Sequence, residues 1–276
     1  MASKSIAAAR GPARSRKITI RKITDEDLRA SLRQGLDDFL DLRGDLFFAG
    51  LIYTVIGIAA VVMTNNGPLV PFLFPILAGV GLLGPVAAVG FYELARRREK
   101  GEEVHWFNFL DVRKRPSVDD MGMVAGLLIV IFALWLTAAG ALYAALFGWI
   151  APNDVVGFFR EVLTTVNGWL LIVAGAVVGA IFGWIVLALS VVSLPMLVDC
   201  NVSASDAVSA SWRAAHANKG EMVRWGLTVV GLLILGSIPL FVGLALVLPW
   251  LGYATWHLYT RLVDRDSIPA RRRRVD

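Results

Sequence analysis

The residues that could do chemistry in this chain are few. Cys200 is the single cysteine, which excludes an internal disulfide and a thiolate metal cage, because such sites take several Cys or His ligands. It reads as a small residue packed near a helix end. Asp37-Asp38, Glu102-Glu103 and Asp119-Asp120 each set two carboxylates side by side, as acid–base chemistry could use. Sequence neighbours face different sides of a helix, however, and none has a nucleophile or metal partner at useful spacing. Solvated surface is expected for all three pairs. Gly79-Val80-Gly81-Leu82-Leu83-Gly84 fits the G-x-G-x-x-G dinucleotide pattern, but that pattern works only as a strand-to-helix turn, and here it sits inside an unbroken apolar run. Glu93 and His257 are the better candidates, since partly dehydrated ionisable groups near a membrane boundary mark sites. Snorkelling to the headgroups, or pairing with Arg96 or Arg261, is the bland alternative for both. No catalytic, cofactor-binding or metal-ligating residue is assigned, and no cofactor is expected.

The elements that must position these residues are written in the charge distribution. Of 276 residues 57% are hydrophobic and only 18% charged, against about 25% charged in a soluble domain. No Asp, Glu, Lys or Arg occurs in 46–92, 121–153, 162–198 or 225–260. A bilayer core needs about 20 apolar residues per helix, so the first stretch holds two spans and the second and third one each. Lys and Arg collect on the cytoplasmic side of membrane proteins. If the fourth stretch is a hairpin turning at Gly236-Ser237-Ile238-Pro239, only Arg160 of the 27 basic residues falls on the outer side. The expected fold is therefore an all-α polytopic bundle in the inner (cytoplasmic) membrane, with both termini cytoplasmic. Its six spans are expected at about 46–64, 69–95, 121–149, 167–198, 222–236 and 239–262, inside one membrane domain, 24–265. A disordered basic tail, 1–23, and a second basic tail, 266–276, flank that domain.

The spans repeat. Residues 83–97 can be laid on 247–261, each with a proline 12 residues before a basic helix end, and Glu93 and His257 then take equivalent places. Pro85 and Pro249 are expected to kink their helices by removing a backbone hydrogen bond. Each hairpin follows an amphipathic segment: Thr24 to Arg43 with a capping-box start at Thr24 and Asp27, a second start at Ser203 and Asp206, and a middle one around Val104, Trp106, Phe107 and Leu110. Three units result, each a surface helix and a hairpin. The surface helices either lie in the membrane interface or pack on the end of the bundle. Arg271, Arg272, Arg273 and Arg274 either attract anionic headgroups or serve as a topology signal. Gly175, Gly179 and Gly183 recur every fourth residue and form a flat face for close helix packing.

Residues 32–39 (LRQGLDDF), the Gly84-Pro85 span, Ser193-Leu194-Pro195 and Ser209-Ala210-Ser211-Trp212-Arg213 together resemble a family of bacterial predicted integral membrane proteins of unknown function. Some members are labelled putative cytochrome c oxidase subunits. The resemblance covers most of residues 20–265 and implies a fold and no activity, because its motifs are packing motifs. A haem-copper catalytic subunit would need about six intramembrane His ligands, whereas His105, His216 and His257 are all there are. That excludes a catalytic oxidase subunit and leaves an accessory one open.

No carboxylate, Lys or Arg lies in the charge-free stretches to carry a proton or cation, as ion-coupled transport usually needs. The expected function is a non-enzymatic scaffold or accessory subunit of a membrane complex. Its expected partners are membrane lipids and other subunits, with no nucleic acid. A transporter or channel for a small neutral or lipid-like solute is the alternative.

Overall fold

A computed structural model describes residues 18–42, 70–72, 75–76, 82–148, 155–239 and 242–269. The first expected span, residues 69, 73–74 and 77–81 of the second (with the motif glycines Gly79 and Gly81), and Arg271 to Arg274 lie outside the described residues. Among those described, the secondary structure is helical, with one isolated antiparallel bridge between Ile20 and Val263.

The helices are α1 (Asp25–Asp41), α2 (Gly84–Ala87), α3 (Val89–Glu99), a 3-10 segment (Trp106–Lys114), α4 (Val118–Phe147), α5 (Val155–Thr164), α6 (Val166–Ser190), α7 (Ser193–Asp199), α8 (Ala204–Ala217), α9 (Lys219–Ser237) and α10 (Leu244–Leu262). Among the described residues three helical stretches are long and apolar enough to cross a membrane: Val118–Phe147, Val166–Asp199 and Lys219–Ser237. Their large apolar side chains stay exposed, as at Ile129, Leu134, Val173, Ile181, Leu227 and Ile234, which suits lipid as the solvent. α4 and α6 run antiparallel: Asn167 Nδ2 donates to Leu146 O at 2.8 Å, and Trp135 meets Phe182 edge-on.

α10 is not one of the three, although 239–262 is expected as a span. Its Trp250, Tyr253, Trp256, His257 and Tyr259 lower its apolarity, and α1 covers it along its length. α5 falls where the sequence reading leaves a loop. Its Phe158 and Val162 pack on Tyr143 and Leu171.

The 3-10 segment packs on α3, α8 on α6 and α7, and α1 on α10. α1 and α8 open alike, with Thr24 Oγ1 and Ser203 Oγ accepting from the amides of Asp27 and Asp206, which satisfies a helix N–H that has no intrahelical partner. Their buried stripes also correspond, Leu28, Ser31 and Gly35 against Ala207, Ala210 and Ala214. Small residues at those positions let backbones approach. A methyl group on Gly35 would lie 2.6 Å from Ala254 Cα, inside any allowed contact.

α1 buries one face, made of Leu28, Ser31, Gly35, Asp38 and Phe39, while Leu32 and Leu36 flank it and Leu40 is exposed. Residues 18–23, assigned above to the basic tail, are a strap: Ile18 and Ile23 are buried, Arg21 N donates to Leu262 O at 2.8 Å and Asp264 N to Thr19 O at 3.0 Å.

Candidate functional site

Most of the charged residues of the described chain meet at the end of the bundle where α3, α7 and α10 stop and α4 and α9 begin. Three carboxylates organise them, and each joins elements that lie apart in the sequence.

Glu93 is the first, on the last turns of α3 and 1% exposed. It accepts from Arg96 Nε and Nη2 at 3.2 and 3.0 Å, from Arg97 Nε at 3.0 Å, and from Arg115 Nε and Nη2, both at 2.8 Å. Burying a carboxylate is costly unless it is paired. Here three guanidiniums surround it, and they are shared onward: Arg96 with Glu102, and Arg97 with Glu102 and with Asp111 at 2.9 Å. Asp111 also takes bonds from Lys114 and Asn108, which hold its carboxyl below the usual range. The pairing with Arg96 raised in the sequence reading is present, and Arg97 and Arg115 join it. Arg115 comes from the far side of the 3-10 segment, so the node ties α3 to the residues that lead into α4.

Asp38 is the second. Its Oδ1 lies 2.8 Å from Arg98 Nε of α3 and its Oδ2 2.8 Å from His257 Nε2 of α10. His257 therefore has α1 as its partner, whereas Arg261 reaches only its carbonyl oxygen, donating from Nη1 at 3.0 Å. Burial works against the Arg98 cation, but the hydrogen bond to Asp41 and the charges of Asp38 and Asp41 raise its pKa. Glu93 and His257, equivalent in the repeat, are not brought together: each has its own set of partners.

Asp199, at the end of α7, is the third. It accepts from Tyr259 Oη at 3.0 Å and from Arg265 Nε at 2.7 Å. Arg265 also binds Glu99 and lies over the Trp256 and Tyr259 rings, and Trp256 Nε1 donates to Glu99 at 3.0 Å. Cys200 follows as the C-cap of α7, half-buried. Burial and the neighbouring Asp199 push its thiol up to about 11.

Two of the carboxylate pairs thus need correcting, because one member of each is buried: Asp38 holds Arg98 and His257, and Asp120 accepts from Ala204 N at 2.9 Å at the start of α8. Glu102 stays exposed, as expected, although it pairs with Arg96 and Arg97. Asp37, Glu103 and Asp119 stay exposed. Nothing in the sequence marks which member turns inward, since that depends on which helix lies opposite.

The packing candidates divide. In α6, a methyl group on Gly179 would lie 3.3 Å from the Trp135 ring of α4 and one on Gly175 4.0 Å from Leu142, whereas Gly183 has nothing within 4 Å among the described residues. The glycine face is therefore occupied by side chains of the same chain over part of its length. Pro85 stands in the first turn of the four-residue helix α2, where its missing N–H costs nothing, so the kink expected in a helix interior is not what it makes. Pro249 is inside α10.

Sequence reasoning missed Asp38, Arg98, Arg115, Asp199, Arg265 and Asn218. Asn218 is fully buried and bonds the strap twice: Ile23 N donates to its Oδ1, and its Nδ2 donates to Arg21 O, each at 3.1 Å. Asp199 carried a readable signal as the acid that closes the apolar run 162–198. Among the described residues no group of three His, Cys, Asp or Glu side chains could hold a metal.

No curated protein and no solved structure matches the chain. Residues 73–199, which contain the whole Glu93 node, the α4–α6 pair and Asp199, match the family described as predicted integral membrane protein (DUF2189), whose description names no oxidase, and it is this family of membrane proteins that the sequence resembles.

Proposed function

We propose that this protein is a non-enzymatic scaffold or accessory subunit of a membrane complex. We place six spans in the inner membrane, the polar end facing the cytoplasm, and membrane lipids and other subunits as its partners. The observation that carries the reading is the use made of the buried charge. Glu93, Asp38, Asp199 and Asp120 are each engaged by groups of this chain, and their bonds run between elements that lie apart in the sequence. Charged groups committed to such cross-links hold a shape. Catalysis would instead need a nucleophile with a base in reach, or a poised acid.

Affinity purification in mild detergent, followed by identification of co-purifying proteins and lipids, tests this. A stoichiometric membrane partner supports it. A lone protein carrying a bound solute would favour the transporter alternative. Reporter fusions test the topology: a fusion at Asp154 should be active only outside the cytoplasm and one at Lys114 or Lys219 only inside, and cytoplasmic signal at Asp154 would overturn six spans.

A further inference from the structure

We propose that α5 is an interfacial membrane helix whose uncovered apolar face, Val156, Phe159 and Leu163, is immersed at the boundary of headgroups and acyl chains in the outer leaflet; this rests on the six-span placement proposed above. α5 leads directly into α6, and the corner between them is built. Thr165 leaves the helical conformation, with φ −107° and ψ 156°, and its Oγ1 accepts from Gly168 N at 3.0 Å. Gly168 has to lack a side chain there, because a methyl group on it would lie 2.0 Å from Val162 O. α5 is thereby folded back on the end of α6 instead of extending it.

The corner sets α5 beside the spans and not above them. Its buried residues Phe158 and Val162 pack on Tyr143 of α4 and Leu171 of α6, with the Phe158 and Tyr143 rings 6.1 Å apart. α4 ends at Phe147 and α6 begins at Val166, so at about 1.5 Å per residue these contacts lie about 6 and 8 Å inside the ends of the two helices. Those ends are level, since Asn167 bonds to Leu146. Amphipathic helices lie about 5–10 Å into a bilayer interface, which is the depth the packing imposes on α5.

Half of its apolar surface has no cover. With about 100° between successive residues, Phe158, Val162, Phe159, Leu163 and Val156 form a single arc about 160° wide. The bundle takes the Phe158 and Val162 half, and Phe159, Leu163 and Val156 stay exposed. Arg160, Glu161 and Thr164, all exposed, occupy the opposite side. Beyond the corner the exposed apolar surface is carried on by Val166, Trp169, Leu170 and Val173 of α6, a helix able to cross a membrane. Lipid that solvates that surface therefore reaches α5. The charges of Arg160 and Glu161 cancel, so the attraction is apolar burial and is indifferent to headgroup charge.

The test uses the full chain in phosphatidylcholine nanodiscs, in a Cys200→Ser background that removes the native thiol. Val156→Cys, Leu163→Cys, Glu161→Cys and Thr164→Cys each carry an environment-sensitive fluorophore. Lipid bearing a nitroxide high on its acyl chain should quench the label at 156 and 163 about threefold more than at 161 and 164, and aqueous iodide should give the reverse order. Adding phosphatidylglycerol should change neither order. Iodide quenching at all four positions alike would overturn the proposal by placing α5 in water. Labels at 156 and 163 shielded from both quenchers would overturn it as well, by showing that another protein chain covers the face. Cytoplasmic reporter signal at Asp154 together with nitroxide quenching at 156 and 163 would overturn the six-span placement, and the outer leaflet with it, but not the immersion of α5.

Discussion

Replacing Glu93 by Gln tests whether the polar end is held by its charge. The substitution keeps size and planarity and removes the negative charge from a site 1% exposed. Removing one partner of a buried pair costs about 3–5 kcal/mol, because the remaining charge stays uncompensated. Here the loss is unequal: Arg96 keeps Glu102, and Arg97 keeps Glu102 and Asp111, whereas Glu93 is the one acid within bridging distance of Arg115 among the described residues. The lower end, about 3 kcal/mol, is therefore expected, and on the scale of soluble domains of similar size this lowers Tm by about 6–12 °C. Fluorescence-detected size exclusion after heating in detergent measures it. The double variant Glu93→Gln/Arg115→Gln should recover part of the loss, since it removes the stranded cation along with its partner. A Glu93→Gln protein as stable as the parent, or a double variant that loses the full sum of the two single effects, would refute the argument that the node is a structural cross-link.

At the α1–α10 seam, Gly35→Ala should lower stability by about 1–3 kcal/mol, because the new methyl meets the Ala254 backbone and only helix displacement relieves it. Gly183→Ala, in open space within α6, should be neutral or stabilising by up to about 1 kcal/mol through helix propensity; equal effects at both, read by the same melting assay, would sink the seam argument. Cys200, with its thiol pushed up to about 11, should react with iodoacetamide far more slowly at pH 7.5 than an exposed thiol and speed up on denaturation, because the thiolate is the nucleophile. A fast native reaction would remove its burial as the cause. Asp111 titrates below its ordinary value in the fold, so its contribution is present above the unfolded pKa of about 3.9 and disappears as pH falls through the folded value. Asp111→Asn should therefore destabilise at pH 7 and have little effect near pH 3; an undiminished difference there would point to its hydrogen bonds with Lys114 and Asn108 rather than its charge.

The sequence by itself determined the solvent of this protein's long helices. Hydropathy adds up residue by residue, so charge-free stretches such as 121–153 and 162–198 predict long apolar helices with no knowledge of neighbours, and α4 and α6–α7 appear there. Local chemistry was legible for the same reason. Thr24 with Asp27 and Ser203 with Asp206 start helices because the interacting groups lie three residues apart. The tertiary structure alone decided which charges pair. Asp38 and Asp37 are indistinguishable by position in the chain, yet one faces Arg98 and His257, 60 and 219 residues on, and the other faces outward. It also decided that α10 packs against α1, since the contact of Gly35 with Ala254 depends on two helices from opposite ends of the chain. Burial of a charge or a glycine is a property of a pair of elements, and a pair is fixed only when helices distant in the sequence pack together.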